Sequence, residues 1–321
     1  MRHWQISESG RDPEMTDSPT PTPQQGEALL RIHACGLNFA DTLMIQGKYQ
    51  DTPPCPFIPG LECAGEVVAL GPNTTGPAPG TRVAIFSGQG GLAEYGCFPV
   101  DRLLPIPASM PFEQAAAFAV AYGTSHMALT YKAHLQPGET LFVSGASGGV
   151  GLTAVEIGKL LGARVIAAAR GPEKMAVAKS AGADHVLDSD APDLKQQLRD
   201  LGGVDVAYDA VGGATFDATL RAMRPDGRIL AIGFASGQVP QVAANHLLVK
   251  NVSVIGFWWG AYRTIAPAAL NRSLATLLDW YEQGKLHPHI SHSLPFEAFP
   301  KGLQLLRDRS STGKVVIRIT N

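Results

Sequence analysis

Between residues 140 and 160 the chain runs from an apolar strand into a glycine-dense turn and on into a helix: Leu141-Phe142-Val143-Ser144-Gly145-Ala146-Ser147-Gly148-Gly149-Val150-Gly151. Four glycines in seven residues would be a costly way to begin a helix unless something must come close to the backbone there. The pattern is A-x-G-x-x-G, with Ala146 where the first glycine of a dinucleotide fingerprint usually stands, followed by Gly148 and Gly151. Gly148 lets the backbone approach a pyrophosphate, and Gly151 lets the helix pack closely on the sheet. The free N–H groups of the first helical turn then face the phosphates, with the helix dipole behind them. Ala146, Ser147, Gly148, Gly149, Val150 and Gly151 are therefore the first candidate cofactor-binding residues.

A turn of this kind demands alternating strands and helices, and the sequence supplies them. Arg164–Ala169, Val204–Asp209, Arg228–Ile232 and Val252–Gly256 read as strands, separated by helices at 150–162, 172–181 and 214–223. This is the signature of a doubly wound parallel sheet. In folds that bind NAD, an acid about 20 residues beyond the turn holds the adenosine ribose. That region here is Ala167-Ala168-Ala169-Arg170, with Lys174 on the next helix. A guanidinium and an ammonium suit a 2′-phosphate that an acid would repel. The cofactor expected is NADPH, with Arg170 and Lys174 on its phosphate; the plain rival for Lys174 is a solvated helix face.

The first 110 residues read differently. Ala28–Ala34, Gly65–Gly71 and Thr81–Phe86 are short strands between Pro- and Gly-rich turns, as in a barrel or sandwich. A helix follows from Pro111, with Ser109 as a possible cap, and another spans about 122–134. Beyond 257 come long helices at 266–284 and 297–307 and a terminal strand, Val315–Ile319, which needs a sheet to pair with.

Lys and Arg against Asp and Glu give 26 − 28 = −2, which argues against nucleic acid or an anionic membrane as partner. Cys35, Cys55, Cys63 and Cys97 contain no C-x-x-C pair and are expected to be buried or half-buried free thiols. The N-terminal residues lack the apolar run of a signal peptide, and no stretch is long enough to span a bilayer, so the expected location is cytoplasmic. His287-x-His289 is the nearest approach to metal spacing among the histidines, and it reads as a surface turn.

Several segments together resemble the zinc-free quinone oxidoreductase (zeta-crystallin-like) branch of the medium-chain dehydrogenase/reductase superfamily. They are Gly36–Asp41, Pro59–Val67, Gly80–Val83, Gly145–Gly151, Asp209–Gly213 and Gly233–Gly237. The resemblance covers essentially the whole length. It implies an α/β chain in which a GroES-like β-rich catalytic domain (1–120) precedes a Rossmann NADPH-binding domain (121–257). Residues 258–321 would then return to the catalytic domain, with the active site in the cleft between the two. Zinc-dependent relatives place Cys and His ligands in the segments around Asn38 and Leu61; leucine cannot ligate zinc and an amide is a poor substitute, so no metal is expected. Without a Lewis acid, simple alcohol oxidation gives way to quinones and α,β-unsaturated carbonyls, whose conjugation delocalises the incoming charge.

By the same resemblance Asn38, Asp41 and Tyr49 are the catalytic candidates. Asn38 would donate a hydrogen bond to a carbonyl oxygen as charge develops, or simply occupy a turn. Tyr49 would line the nicotinamide or donate a proton, or sit at a core edge. Asp41 would brace the loop, or act as a cap. Leu43 stands where many bacterial members carry a second tyrosine, so water is a possible proton source. Val211, Gly233, Phe234 and Trp258 would bind the cofactor, Trp258 belonging to an aromatic run, Phe257–Tyr262, whose backbone would pass the nicotinamide and which reads equally well as a core plug. Arg309 would reach the 2′-phosphate or be surface charge, and Leu187–Asp190 is an acidic neighbour for that phosphate. The apolar edge strand, Val252–Ile255, invites pairing and implies a homodimer. Two other functions remain: an enoyl or acyl thioester reductase, although residues 36–60 show no basic cluster for a carrier phosphate, and a non-catalytic NADPH-binding structural or regulatory protein.

Overall fold

The computed structural model describes residues 1–319. The chain divides into two compact units, one made of Met1–Val120 with the segment from Pro288 onward, the other of Ala121–His287. The return therefore comes at Pro288 and not at 258. The cause is the helix Pro267–Glu282, which buries Leu270, Leu274 and Leu277 within the second unit. His126 Nδ1 meets Ser273 Oγ at 2.8 Å, and the His126 ring stacks edge-on against Trp280, tying that helix down.

The second unit is built on a six-stranded parallel sheet. In chain order its strands are Thr140–Ser144, Arg164–Ala169, His185–Asp188, Val204–Asp209, Met223–Ala231 and Ser253–Gly256. Across the sheet they lie third, second, first, fourth, fifth, sixth, all in parallel register. Chain order thus reverses between Thr140–Ser144 and Val204–Asp209, which is where open sheets of this type bind ligands. The two strands Thr140–Ser144 and Arg164–Ala169 are the most apolar, as expected for the covered middle of a parallel sheet; Leu141, Phe142, Val143, Val165, Ile166 and Ala167 are all buried. Leu194–Asp200, whose sequence shows no clear period, is a helix that places Leu198 in the same core.

The first unit carries a seven-stranded sheet whose main path is 290–295, 314–318, 27–37, 62–70, 82–86 and 104–105, with 95–99 pairing 27–37 off that path. All pairs are antiparallel except the first, between Ile290–Pro295 and Lys314–Arg318. The terminal strand is flanked on both sides, so Val315, Val316 and Ile317 are fully buried. A separate two-stranded sheet, Arg2–Gln5 with Glu14–Asp17, is held to the rest of the unit by Trp4 N, which donates to Leu92 O at 2.9 Å. Two local expectations change. Helix Phe112–Ala116 takes Pro111 as its N-cap, with Ser109 outside it. Cys55 is exposed, while Cys35 and Cys63 are buried and Cys97 is half-buried.

Candidate active site

The C-terminal edge of the parallel sheet collects the loops singled out for a dinucleotide. Gly145 turns the chain out of the first strand at φ 63°, a left-handed conformation that glycine adopts without strain. Ala146 is buried and donates its N–H to Ala168 O at 3.0 Å, pinning the turn to the neighbouring strand. The helix then runs from Gly149 to Leu160, with Gly148 as N-cap and no acidic residue in its first turn. Its first main-chain bond is Leu152 N to Gly148 O at 2.9 Å, so the N–H groups of Gly149, Val150 and Gly151 precede the hydrogen-bonded ladder. Ser147 is buried within the same turn.

Val211, Gly233 and Phe234 lie just beyond the ends of the fourth and fifth strands. The loops lock together: Ala235 N donates to Ala210 O at 3.1 Å and Ser236 N to Val211 O at 2.9 Å. Ser144 and Asp209, at the ends of the first and fourth strands, join the two sides of the switch point. Ser144 Oγ donates to Asp209 Oδ1 across the ladder, and Asp209 Oδ2 accepts Gly212 N at 2.9 Å. Burial pushes the Asp209 carboxyl above its usual range against these bonds. The aromatic run after the sixth strand divides in two. Phe257, Trp259 and Tyr262 are buried, with Trp259 filling the space beside Gly123, while Trp258 keeps 39% of its surface exposed.

Arg170 caps the helix Gly171–Ser180 directly after the second strand, and Lys174 is half-buried on that helix. Arg170 is exposed, and its Nε lies 3.0 Å from Asp190 at the end of the neighbouring strand. The acidic segment noted in the sequence thus engages the cation proposed for the phosphate. Arg309 belongs to the first unit, where it is exposed at φ 53° beyond helix Phe299–Arg307. A helix N-terminus without acid, a base at the end of the second strand and the switch-point geometry together fit NADPH, and the turn, Arg170 and Lys174 are the residues that would hold its phosphates.

In the first unit Asn38 starts the helix Phe39–Ile45. Its Oδ1 accepts from Lys314 Nζ at 2.7 Å, and its Nδ2 donates to Glu62 Oε1 at 2.9 Å and to Gly36 O at 3.3 Å. Asp41 is fully buried; it accepts Asn38 N at 2.8 Å and Leu61 N at 3.2 Å, bracing two loops against each other. Burial pushes its carboxyl up to about 7, against the pull of the Asn38 N–H and the Lys314 charge. A carboxyl so enclosed acts through the backbone it holds. Tyr49 is half-buried and packs on the apolar core of this unit. Glu62 and Lys314 were missed as site residues. The available signal was a charge placed beside an apolar strand, Glu62 before Cys63-Ala64 and Lys314 before Val315-Val316.

Residues 24–108 match the alcohol dehydrogenase GroES-like domain, and residues 149–275 match the zinc-binding dehydrogenase family. A quinone oxidoreductase-like protein 2 homologue of Nematostella vectensis is 41% identical over 313 residues, covering 95% of this chain and 86% of that one. The chain belongs to the quinone oxidoreductase branch of the medium-chain dehydrogenase/reductase superfamily. Within that branch, the quinone oxidoreductase of Thermus thermophilus, solved with and without NADPH, superimposes with a TM-score of 0.89 at 34% identity, covering 99% of this chain and 100% of that one. The human synaptic vesicle membrane protein VAT-1 homologue is 31% identical over 315 residues, covering 92% of this chain and 80% of its own.

The zinc in the matched family's description does not fit this member. Leu61, at one ligand-like position, is apolar and buried. Asn38, at the other, already faces an ammonium, whose charge opposes a second cation. Among the described residues no group of three or more His, Cys, Asp or Glu is arranged to hold a metal, and no helix is long and apolar enough to cross a membrane.

Proposed function

We propose that this chain is an NADPH-dependent, zinc-independent reductase acting on a quinone or an α,β-unsaturated carbonyl. The observation that carries the reading is Asn38, a hydrogen-bonded amide standing where zinc-dependent relatives hold a ligand. NADPH, when bound, supplies the hydride. The residues supply the rest. Gly148 to Gly151 present main-chain N–H groups to the pyrophosphate, and Asp209 with Ser144 shapes the Val211 loop. Asn38 keeps one amide proton on Glu62 and lends the other, now on the longer bond to Gly36 O, to the substrate oxygen as it gains charge. Asp41 holds the Asn38 and Leu61 backbones in place.

Oxidation of NADPH and NADH is to be followed with chelator-treated protein and 1,4-benzoquinone, 9,10-phenanthrenequinone or a small enone. Faster consumption of NADPH than NADH with these acceptors supports the proposal. Tight NADPH binding without turnover on any of them would sink it in favour of a non-catalytic role, and turnover on enoyl thioesters alone would favour a thioester reductase.

For cofactor choice, Arg170→Ala/Lys174→Ala is expected to raise KM for NADPH by about 10- to 100-fold, the counterpart of losing ~1.5–3 kcal/mol of charge-assisted hydrogen bonding. KM for NADH should barely move. Release of Arg170 from Asp190 is cheap, since exposed pairs contribute about 0–1 kcal/mol. Unchanged selectivity in steady-state kinetics would remove both residues, and would leave Arg309 as the candidate.

The assembly we propose is a homodimer in which Ser253–Gly256, the edge of the parallel sheet, pairs with its twin. Leu248 and Val249, on the preceding helix, are 78% and 76% exposed, which supports a covered surface there. Light scattering should give twice the chain mass for the wild type and a shift toward one chain for Leu248→Glu/Val249→Glu. The proposed compartment is the cytoplasm, a reading supported by Cys35 and Cys63, which face each other across the ladder as free thiols.

A further inference from the structure

Lys314 is only 6% exposed, and lysine is almost never buried unless its charge is paired. Its three protons have three acceptors: Leu37 O at 2.8 Å, Asn38 Oδ1 at 2.7 Å and Glu62 Oε1 at 2.7 Å. Glu62, 1% exposed, also takes Asn38 Nδ2 on Oε1 and Val120 N on Oε2 at 3.0 Å. This network settles which way the Asn38 amide points. An ammonium only donates, so the atom facing it is oxygen; a carboxylate only accepts, so the atom facing it is nitrogen. One Nδ2 proton remains, on a 3.3 Å bond near the long limit of hydrogen bonding.

We propose that Lys314 and Glu62 are positioning residues for Asn38, holding its amide with Oδ1 on the ammonium and Nδ2 on the carboxylate. The inference rests on the reading that this N–H meets the substrate oxygen. A flipped amide would present Oδ1 to the developing negative charge and repel it. The ammonium does more than orient: a charged donor on Oδ1 polarises the amide and strengthens the opposite N–H as a donor. Lys314 thus supplies, through Asn38, a positive charge in a member whose residues do not fit zinc.

The test compares Lys314→Met, Lys314→Met/Glu62→Gln and Asn38→Ala, each measured for melting, NADPH binding, kcat and KM with 1,4-benzoquinone. Lys314→Met alone strands a buried carboxylate and is expected to be the least stable of the three. The double variant removes both charges, so it should recover melting temperature and wild-type NADPH affinity while kcat stays down by on the order of tenfold. That lies short of the ~10²-fold loss typical when an oxyanion donor is removed outright. Recovery of kcat together with stability would show a purely structural pair and overturn the proposal. If Asn38→Ala also turned over normally, the reading of Asn38 itself would have failed; if Asn38→Ala were slow and the double variant fast, only the positioning role would fall. Hydrogen exchange of the Asn38 side-chain amide in 15N-labelled wild-type protein needs no variant. Protection is expected, and exchange at the rate of a free amide would overturn the proposal.

Discussion

Gly151→Ala is expected to remove NADPH binding and lower the melting temperature together, whereas Gly148→Ala removes binding and leaves melting nearly untouched. The difference lies in what a new methyl group meets. At Gly151 it would lie 2.1 Å from Gly145 O and 2.8 Å from Ala146 Cα, both main-chain atoms of the turn that precedes the helix. Neither moves without pushing the helix off the sheet, and overpacking of this kind costs about 1–3 kcal/mol or more. At Gly148 the nearest atom is Gly145 O at 3.4 Å, an ordinary contact, and φ is −83°, which any residue adopts. If the pyrophosphate passes this turn as proposed, the methyl there instead crowds its approach to the N–H groups of Gly149 to Gly151, which precede the helix's hydrogen-bonded ladder. Losing even one charge-assisted bond to phosphate weakens binding by about tenfold or more. Fluorescence titration with NADPH and thermal melts of both variants decide it. Tight binding by Gly148→Ala would mean that the pyrophosphate does not pass this turn.

The second large effect belongs to Asn38→Ala. If its amide meets the substrate oxygen, kcat should fall by about 10²–10³-fold, the loss seen when an oxyanion donor is removed. NADPH affinity should hold, because the glycine turn, Arg170 and Lys174 belong to the other folding unit. The fold should hold as well, since Lys314 and Glu62 remain in direct contact at 2.7 Å after the amide is gone. Steady-state kinetics with 1,4-benzoquinone, set beside direct NADPH titration, separates the two quantities. A loss of cofactor binding without a change in kcat would contradict the assigned role.

Much of the second unit was legible from local pattern. Thr140–Ser144, Arg164–Ala169 and Val204–Asp209 are short, mostly apolar runs followed by a glycine turn or a helix start, and the period changes visibly between them. His185–Asp188 is not legible in this way because its four residues are only half-buried and polar at both ends. The hairpin Arg2–Gln5 with Glu14–Asp17 is illegible for a related reason: strands of four residues with polar faces have no periodicity to read. The return point was misplaced by about thirty residues because helix Pro267–Glu282 shows an apolar stripe without showing which core receives it.

The candidate site divides along the same line. Glycine, alanine and arginine in a run of thirty residues specify a tight strand-to-helix turn and a basic residue after the next strand because backbone conformation and charge are local properties, and there the amino-acid sequence by itself determined the outcome. Whether Arg170 stands alone or beside Asp190, and whether Asn38 is a turn residue or the end of a buried ionic network, depended on partners 20 and 276 residues away. Only the tertiary structure decided those points, because sheet pairing brings Lys314 beside Leu37 and Asn38, and a buried charge acquires its role from the groups that satisfy it.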